Sequence, residues 1–378
     1  MKARQWARST AVAALALAVT VAVGGPALAG AGDNDATGDD RADLMAMYDY
    51  GNGEAGLFLF PGTARIEDGS TQPQGIWFGG PGTFSPSVTK ATSGDFNGDG
   101  RSDYLAMYDY GNGEAGLFVF PGGGGSYYRV WHVGPGNFWL SAMKITSGDF
   151  NGDGRADVLA LYDYGNESAS LWVFPGTTGT SDGASNPAEV WSTGPGGFDV
   201  NRAKIAGGDF NRDGRDDLVA LYDYGNSEAG LWVFPGTPNA GPGASNPYLV
   251  WNVSPGNFNV GAVRHTDIDD INGDGIVDFL AITETVVNRF SGTTGSGPNA
   301  TIRGEYSTVP SINGQGKIIV GDYDGNGVAD VIFLRDHGGG SASLAVLSGG
   351  LESTPPRPVV RVWYTGPGNF WPSVMKVA

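Results

Sequence analysis

The chain has 378 residues, of which 64 are glycine and 22 are proline, and it contains no cysteine. This composition excludes a disulfide framework, a thiolate metal site and a cysteine nucleophile, and the 43 aromatic residues (18 Phe, 15 Tyr and 10 Trp) argue against a disordered chain. The net charge of −18 disfavours nucleic acid and anionic lipid as partners, whereas it is compatible with bound cations.

The first 29 residues have the pattern of a secretion signal. Basic residues at positions 2, 4 and 8 precede a 13-residue apolar run, Ala11–Val23, and small residues form a cleavage site that ends at Ala29. The run is short for a bilayer span. We therefore expect cleavage after Ala29 and a secreted (extracellular) protein without membrane insertion; an N-terminal membrane anchor is the alternative.

An acidic motif of nine residues recurs six times after this segment. Its best copies read DFNGDGRSD, DFNGDGRAD and DFNRDGRDD, and the starts of successive copies are 60, 54, 60, 61 and 52 residues apart. A period in this range is typical of propellers, solenoids and other repeat arrays. The six copies lie at Asp35–Asp43, Asp95–Asp103, Asp149–Asp157, Asp209–Asp217, Asp270–Asp278 and Asp322–Asp330.

Short apolar runs around each acidic motif predict four strands per repeat. In the second repeat, Tyr104–Tyr110, Leu117–Phe120 and Tyr128–Val133 follow the motif, and Met143–Thr146 leads into the next one. Pro-Gly and Gly-Asn dipeptides separate the runs and indicate turns. Because the runs are apolar at nearly every position, we expect antiparallel sheets that are buried on both faces, an arrangement that a β-propeller provides.

The two ends of the chain predict a closed ring. The last segment, Gly366–Ala378, repeats the phrase that precedes an acidic motif in earlier repeats, but no motif follows it. The mature N-terminus starts near a motif that has no strand before it. We therefore predict an all-β, six-bladed propeller that forms one domain over residues 30–378 and is closed by the C-terminal strand. A degenerate seventh blade near Glu305–Lys317, or an open solenoid, is the alternative.

The acidic motifs are predicted to bind Ca²⁺ at five or six sites. Positions 1, 3, 5 and 9 offer side-chain oxygens, position 7 offers its backbone carbonyl, and glycine at position 6 permits a sharp turn. The alternative is a set of polar turns without metal. The first copy fits least well, because Thr37 and Asp40 replace the usual Asn and Gly. The predicted ligands are Asp35, Asp39, Asp43, Asp95, Asn97, Asp99, Arg101, Asp103, Asp149, Asn151, Asp153, Arg155, Asp157, Asp209, Asn211, Asp213, Arg215, Asp217, Asp270, Asn272, Asp274, Ile276, Asp278, Asp322, Asp324, Asn326, Val328 and Asp330.

These motifs and the strands that follow them resemble the FG-GAP/VCBS repeat, which forms the blades of integrin alpha-chain propellers and of many secreted bacterial propellers. The resemblance covers about residues 33–378. It implies a β-propeller in which the loop between the first two strands of a blade binds Ca²⁺. It does not imply one ligand, because the family includes lectin-like binders, adhesion proteins and appendages of enzymes.

One end of the predicted propeller repeats aromatic and amide side chains. The turn YDYGN occurs four times, and crossovers that read GPGNF or a close variant share its end. Aromatic faces beside amide and carboxylate groups suit sugars, so we predict binding of an extracellular or cell-wall glycan. The alternative is hairpin chemistry, since Asn and Gly tolerate positive φ. The predicted ligand-binding residues are Tyr50, Asn52, Tyr110, Asn112, Tyr164, Asn166, Tyr224 and Asn226.

A tryptophan precedes most of the crossovers at a fixed offset. Two interpretations are open for this residue: it contributes to the binding end, or it packs between neighbouring blades, and packing is the better supported. The tryptophans are Trp77, Trp131, Trp191, Trp251 and Trp363.

No residue is singled out as catalytic. The three histidines lack metal-ligand spacing, and the glycine-rich matches at Gly51–Gly56 and Gly179–Gly183 lie between strands rather than before a helix. Nearly identical blades favour several equal binding sites over one asymmetric active site. A polysaccharide lyase or glycosidase on the same scaffold, and a protein-binding adhesion or scaffold module, are the alternatives.

Overall fold

The protein is described by a computed structural model that covers residues 34–293, 316–349 and 358–378, together with the backbone of 304–308. The predicted signal peptide lies outside the described residues. The described part forms six four-stranded antiparallel sheets, which confirms the prediction of an all-β, six-bladed propeller. Within it, no helix is long and apolar enough to cross a membrane.

Each blade has four strands, named A to D from the propeller axis outward. Five of the six pairs of neighbouring A strands contact each other, which places the A strands around the axis. Blade one consists of β24 (Met375–Val377), β1 (Leu44–Gly51), β2 (Glu54–Phe60) and β3 (Gln74–Gly79). Blade two consists of β4 (Thr89–Gly94), β5 (Asp103–Gly111), β6 (Glu114–Phe120) and β7 (Tyr128–Val133). Blade three consists of β8 (Met143–Gly148), β9 (Asp157–Gly165), β10 (Ser168–Phe174) and β11 (Ala188–Thr193).

The other three blades have the same strand order. Blade four consists of β12 (Ala203–Gly208), β13 (Asp217–Gly225), β14 (Glu228–Phe234) and β15 (Tyr248–Val253). Blade five consists of β16 (His265–Asp269), β17 (Asp278–Ile282), β18 (Val286–Phe290) and β19 (Gly304–Thr308). Blade six consists of β20 (Gly316–Gly321), β21 (Asp330–Gly338), β22 (Ser341–Leu347) and β23 (Val359–Thr365). One-turn 3₁₀ helices precede five of the A strands, at Pro86–Val88, Leu140–Ala142, Val200–Arg202, Val260–Ala262 and Pro372–Val374.

The C-terminal strand closes the ring as predicted. In blade one, β24 pairs antiparallel with β1, and Met47 lies opposite Lys376. The backbone N–H of Ala378 donates to the carbonyl of Met45 at 3.2 Å. The first blade therefore takes its inner strand from one end of the chain and its other three strands from the other end.

Aromatic pairs pack at five of the six junctions between neighbouring blades. In each pair, a strand D tryptophan packs edge-on against the phenylalanine that ends strand C of the next blade, with ring centroids 4.8–5.1 Å apart. This geometry confirms that the tryptophans pack between blades. The pairs are Trp77–Phe120, Trp131–Phe174, Trp191–Phe234, Trp251–Phe290 and Trp363–Phe60.

The junction between blades five and six lacks this pair. In the regular blades, the tryptophan lies opposite a leucine of strand C, as Trp251 lies opposite Leu231. Ser307 holds the corresponding place in blade five, opposite Val287, and Leu347 ends strand C of blade six where the other blades have phenylalanine. Aliphatic side chains such as Leu280 and Leu347 form the core of this junction together with Phe333.

The loops divide between two ends of the propeller, as predicted. The acidic loops join strands A and B and share one end with the C–D loops; for example, the N–H of Gly122 donates to the Asp103 carboxylate at 3.2 Å. We call this the acidic end. The B–C turns and the D–A crossovers share the crossover end, where the N–H of Gly82 donates to the Asn52 carbonyl at 2.9 Å.

The C–D loops protect the outer edges of the blades. Each of three described loops donates a backbone hydrogen bond to strand D of the preceding blade: Thr71 to Val362, Ser185 to Val130 and Ser245 to Val190, at 3.0–3.1 Å. An uncovered outer strand would present unpaired backbone groups to other chains. These C–D loops therefore pair with backbone groups of the outer strand of the preceding blade and link neighbouring blades.

Candidate functional site

The acidic loops are folded around the carboxylate at their first position. In blade two, the Asp95 carboxylate accepts hydrogen bonds from the backbone N–H groups of Gly98, Asp99 and Gly100 at 2.8–3.0 Å. Gly100, at position 6, has φ +83°, and Asp40 adopts φ +62° at the same position in blade one. The tight turn predicted for the motif is therefore present even where glycine is replaced.

The aspartate at position 9 is buried in every blade. In blade two, Asp103 is 0% exposed and accepts hydrogen bonds from the Asn97 side-chain amide at 3.1 Å and from Gly122. Burial raises the pKa of Asp103 to about 7, and the carboxylates of Asp99 and Asp95 contribute to the increase. Burial likewise raises the pKa of Asp157, Asp278 and Asp330 to about 7, that of Asp43 to about 6, and that of Asp217 well above its usual value.

The loop of blade six has the donor set that best fits a hard cation. One oxygen each from Asp322, Asp324 and Asp330 lies within 4.8 Å of the other two, and this is the one such trio of carboxylates in the described residues. All three donors are hard oxygens, which is the chemistry that Ca²⁺ prefers. Position 7 of this loop is Val328, which brings no positive charge.

Arginine side chains neutralise part of the charge in other loops. In blades one, three and four, the arginine at position 7 forms an ion pair with the aspartate at position 5, at 2.7–2.8 Å. In blade five, the buried Arg289 side chain lies 3.4 Å from the position 9 carboxylate of Asp278. These pairs are Arg41–Asp39, Arg155–Asp153, Arg215–Asp213 and Arg289–Asp278.

At five of the six blade boundaries, the acidic loop is also linked to the loop of the next blade, a feature that sequence reasoning missed. The residue at position 8 donates its N–H to the carbonyl at position 1 of the preceding loop, as Ala156 does to Asp95 at 2.9 Å. The side chain at position 7 covers the position 4 glycine of that preceding loop, as Arg155 covers Gly98. The glycine that recurs at position 4, in five of the six motifs, was the available signal.

The predicted ligand-binding tyrosines are exposed at the crossover end. Their exposed fractions are 48% for Tyr50, 41% for Tyr110, 56% for Tyr164 and 38% for Tyr224. All ten large apolar or aromatic side chains that are exposed in the described part of the chain lie at this end, in B–C turns, D–A crossovers or the final residues of strand D. The other six are Phe78, Val88, Trp139, Tyr364, Trp371 and Val374.

Each exposed tyrosine is held against its own blade. The ring of Tyr110 packs against the backbone of Gly116, where an added Cβ atom would lie 3.2 Å from the ring. Tyr224 packs against Gly230 in the same way. Neighbouring side chains fix the hydroxyl groups: Arg129 donates to Tyr110, and the Trp232 indole donates to Tyr224, both at 2.8 Å. The outer ring faces are therefore presented in a defined orientation.

The asparagines of the same turns have a structural role. Asn52, Asn112, Asn166 and Asn226 have φ between +51° and +55°, and their backbone carbonyls accept hydrogen bonds from crossover glycines at 2.8–2.9 Å. Hairpin geometry therefore accounts for asparagine at these positions. The asparagines are nevertheless exposed, so their side-chain amides are accessible beside the tyrosines.

Residues 95–160 and 149–220 match the FG-GAP-like repeat. The two matches overlap and together span 126 residues, from the acidic loop of blade two to strand B of blade four. The six similar blades are consistent with an FG-GAP β-propeller family.

The solved structures that resemble this propeller include two of low sequence identity. The Tc holotoxin pore of Photorhabdus luminescens is 17% identical over 82% of this chain, with a TM-score of 0.47; the chain spans only 14% of the length of that protein. The six-bladed fucose-recognising lectin of Aleuria aurantia is 11% identical over 86% of this chain and 96% of its own, with a TM-score of 0.45. No curated protein sequence matches the chain. Nothing about binding or activity follows from these similarities.

Proposed function

We propose that this FG-GAP-repeat propeller is a secreted, calcium-stabilised protein that binds extracellular or cell-wall carbohydrate through the aromatic turns of its crossover end. The observation that carries the proposal is the exposure of one oriented tyrosine at the same place in each of four blades. An isolated exposed aromatic residue needs no explanation, whereas a concentration of them at one end of a molecule indicates an interaction surface.

Carbohydrate is the ligand class that this surface suits best. A flat aromatic ring offers its face to the C–H groups of a sugar, while neighbouring polar groups can bind hydroxyls. Around Tyr110, the polar neighbours are Arg129 and, paired with it at 2.6 Å, Asp182 of the next blade. Around Tyr164, the neighbours include the Trp172 indole and the exposed amide of Asn166.

The repetition of the turns supports multivalent binding. Four similar sites on one end of a rigid ring can engage several units of one glycan, so weak individual affinities combine through effective concentration. A polymeric or clustered extracellular glycan is therefore the expected partner, rather than a free monosaccharide.

Calcium would act at the opposite end of the molecule. The carboxylates of Asp322, Asp324 and Asp330 would hold one ion, and the equivalent loops of the other blades would hold ions of the same kind. Bound Ca²⁺ would neutralise buried carboxylates and reinforce loops that are hydrogen-bonded from blade to blade. After signal cleavage the net charge would be −21, and six Ca²⁺ ions would change it to −9.

The test compares two four-fold variants for retention on polysaccharide columns and for melting temperature. Replacing Tyr50, Tyr110, Tyr164 and Tyr224 by alanine removes the four rings, and we expect retention to be lost while the melting temperature in Ca²⁺ is kept. Replacing Asn52, Asn112, Asn166 and Asn226 by glycine is the matched control, because glycine tolerates the same positive φ. We expect this control to fold normally and to lose only part of the retention. Full retention by the tyrosine variant, with a lowered melting temperature, would refute carbohydrate binding at these turns.

A further inference from the structure

The lysines of this chain are confined to a single place in the fold. The sequence has six lysines, and apart from Lys2 in the predicted signal peptide all of them lie in A strands. Every other cationic side chain of the mature protein is an arginine or a histidine. The five lysines are Lys90, Lys144, Lys204, Lys317 and Lys376.

The five lysines occupy one register position of the propeller. Each is the second residue of its A strand. Each pairs with the strand B residue that lies four positions before the glycine of the B–C turn, as Lys90 pairs with Met107. In blade five the same position holds His265, opposite Ile282. Because the A strands surround the axis, five lysines and one histidine form a basic ring around it.

The ring lies near the crossover end of the axis. The A strands run from the D–A crossovers toward the acidic loops, so their second residues are near the start of that path. Four of the five lysines are half-buried and Lys317 is exposed. The Lys90 Nζ donates to the carbonyl of Met143 in the next A strand at 2.6 Å, and the Lys144 Nζ donates in the same way to Ala203. Each of these amines thus reaches the residue that directly precedes the next lysine of the ring.

The positive charges of the ring are only partly compensated. The Asp267 carboxylate lies 3.2 Å from His265 and also accepts the backbone N–H of Val320, and Asp199 acts on Lys144 from a crossover. Burial lowers the pKa of Lys144, and together with the charges of Lys204 and Lys90 it brings the pKa to about 8. Burial and the charge of Lys376 likewise lower the pKa of Lys90. A bound anion would relieve this repulsion.

We propose that the lysine ring is a binding site for a compact multivalent oxyanion of the phosphate or sulfate class, placed on the propeller axis at the crossover end. Lysine ammonium groups are compact, rotatable donors with three N–H bonds each, and they bind phosphate as point charges. Nζ of Lys90 and of Lys144 has one of its hydrogen bonds satisfied by a carbonyl, which leaves further donors for a ligand. The site is separate from the tyrosines and does not depend on carbohydrate binding there.

The site can be tested by lysine acetylation followed by mass spectrometry. Since the mature chain has no lysine outside the ring, acetylation at lysine reports on this site alone. We expect tripolyphosphate, at constant ionic strength, to protect the five lysines from acetylation, and inorganic phosphate or sulfate to protect them less. An arm with a sulfated oligosaccharide distinguishes a glycan-borne oxyanion from a free one. Equal acetylation with and without every anion would overturn the proposal.

Calorimetric titration with tripolyphosphate gives the second measurement. The variant Lys90→Gln/Lys144→Gln/Lys204→Gln should bind about tenfold more weakly or worse, because three of five charges are lost. Arg65→Gln is the matched control, since Arg65 is an exposed cation that pairs with Glu67 on a C–D loop of the acidic end; its affinity should be unchanged. If the triple variant does not fold, Lys144→Gln alone is measured. Unchanged affinity in a folded lysine variant, or an equal loss in Arg65→Gln, would show that the ring is only a link between blades.

Discussion

The two ends of this propeller differ in how the blades are joined. At the acidic end, five of the six loops donate a backbone hydrogen bond to the loop of the preceding blade, and at the same five boundaries a side chain covers a glycine of that preceding loop. At the crossover end, the corresponding bonds stay within one blade, between a crossover and its own turn, and aromatic rings are left exposed. The backbone hydrogen bonds between loops of neighbouring blades therefore lie at the acidic end, whereas the exposed aromatic side chains lie at the crossover end, where side chains such as Lys90 join the blades.

Opening the ring should have the largest effect and should damage both ends together. Deleting Ser373–Ala378 removes β24, so blade one loses its inner strand and exposes the edge of β1. We expect aggregation or a large loss of stability, measured by size-exclusion chromatography and calorimetry. A truncated protein that stays monomeric and melts normally would contradict closure by this strand.

Removal of calcium should have the second-largest effect, and that effect should be concentrated at the acidic end. If the free Ca²⁺ concentration is ten times the Kd of six independent sites, Ca²⁺ binding adds roughly 8 kcal/mol to the free energy of unfolding. For a protein of this size, such a loss lowers the melting temperature by about 10 °C. EDTA should produce this decrease and added Ca²⁺ should reverse it. An unchanged melt in EDTA, with no metal found by elemental analysis, would contradict calcium binding.

A single substitution in the blade six loop should have a smaller effect whose sign depends on calcium. In Ca²⁺, Asp330→Asn should lower the stoichiometry by one ion and the melting temperature by about 2 °C. In EDTA, the same variant should be as stable as the parent protein or more stable, because a buried carboxylate beside Asp322 and Asp324 is replaced by a neutral group whose oxygen can still accept a backbone N–H.

Asp40→Asn is the control for this substitution. It removes an exposed carboxylate of the acidic end, and asparagine tolerates the φ of +62°. We expect no change in calcium stoichiometry. A decrease in both solvents for Asp330→Asn, with unchanged metal content, would show that Asp330 has a structural role only.

The smallest expected effect belongs to a single tyrosine of the crossover end. Tyr110→Ala should weaken retention on a polymeric glycan about twofold, because three similar turns are unchanged. Its melting temperature should decrease by no more than about 1–2 °C, since the side chain lies at the surface and is 41% exposed. A decrease of several degrees with unchanged retention would assign the ring to packing alone.

The sequence was sufficient for the architecture because every blade repeats the same local signals. The run Tyr128–Val133 is a strand with the predicted bounds, and Tyr104–Tyr110 is extended by one residue at each end because the position 9 aspartate and the turn glycine also pair. Closure was predictable because the last segment repeats a phrase found earlier in the chain. The strand predictions depend on local sequence, and the closure prediction depends on the repetition of one phrase.

Contacts across blade boundaries could not be predicted in the same way. The partner of Trp131 is Phe174, 43 residues later, and no local pattern specifies that pair. The arginine at position 7 was predicted to contribute only its carbonyl, whereas its side chain covers a glycine of the preceding blade. The sequence shows a lysine at the same distance before four of the acidic motifs and in the matching phrase at the C-terminus. That these lysines form a ring follows only from the arrangement of the A strands around the axis.

The absence of tryptophan from blade five has a spectroscopic consequence. No tryptophan lies between Trp251 and Trp363 in the sequence, and the junction between blades five and six has a core of aliphatic side chains and Phe333, whereas an indole reports on each of the other five junctions. If the ring first separates at this junction, circular dichroism would detect the loss of strands before indole emission shifts. Fluorescence emission and circular dichroism recorded on one sample would therefore show whether unfolding begins at this junction.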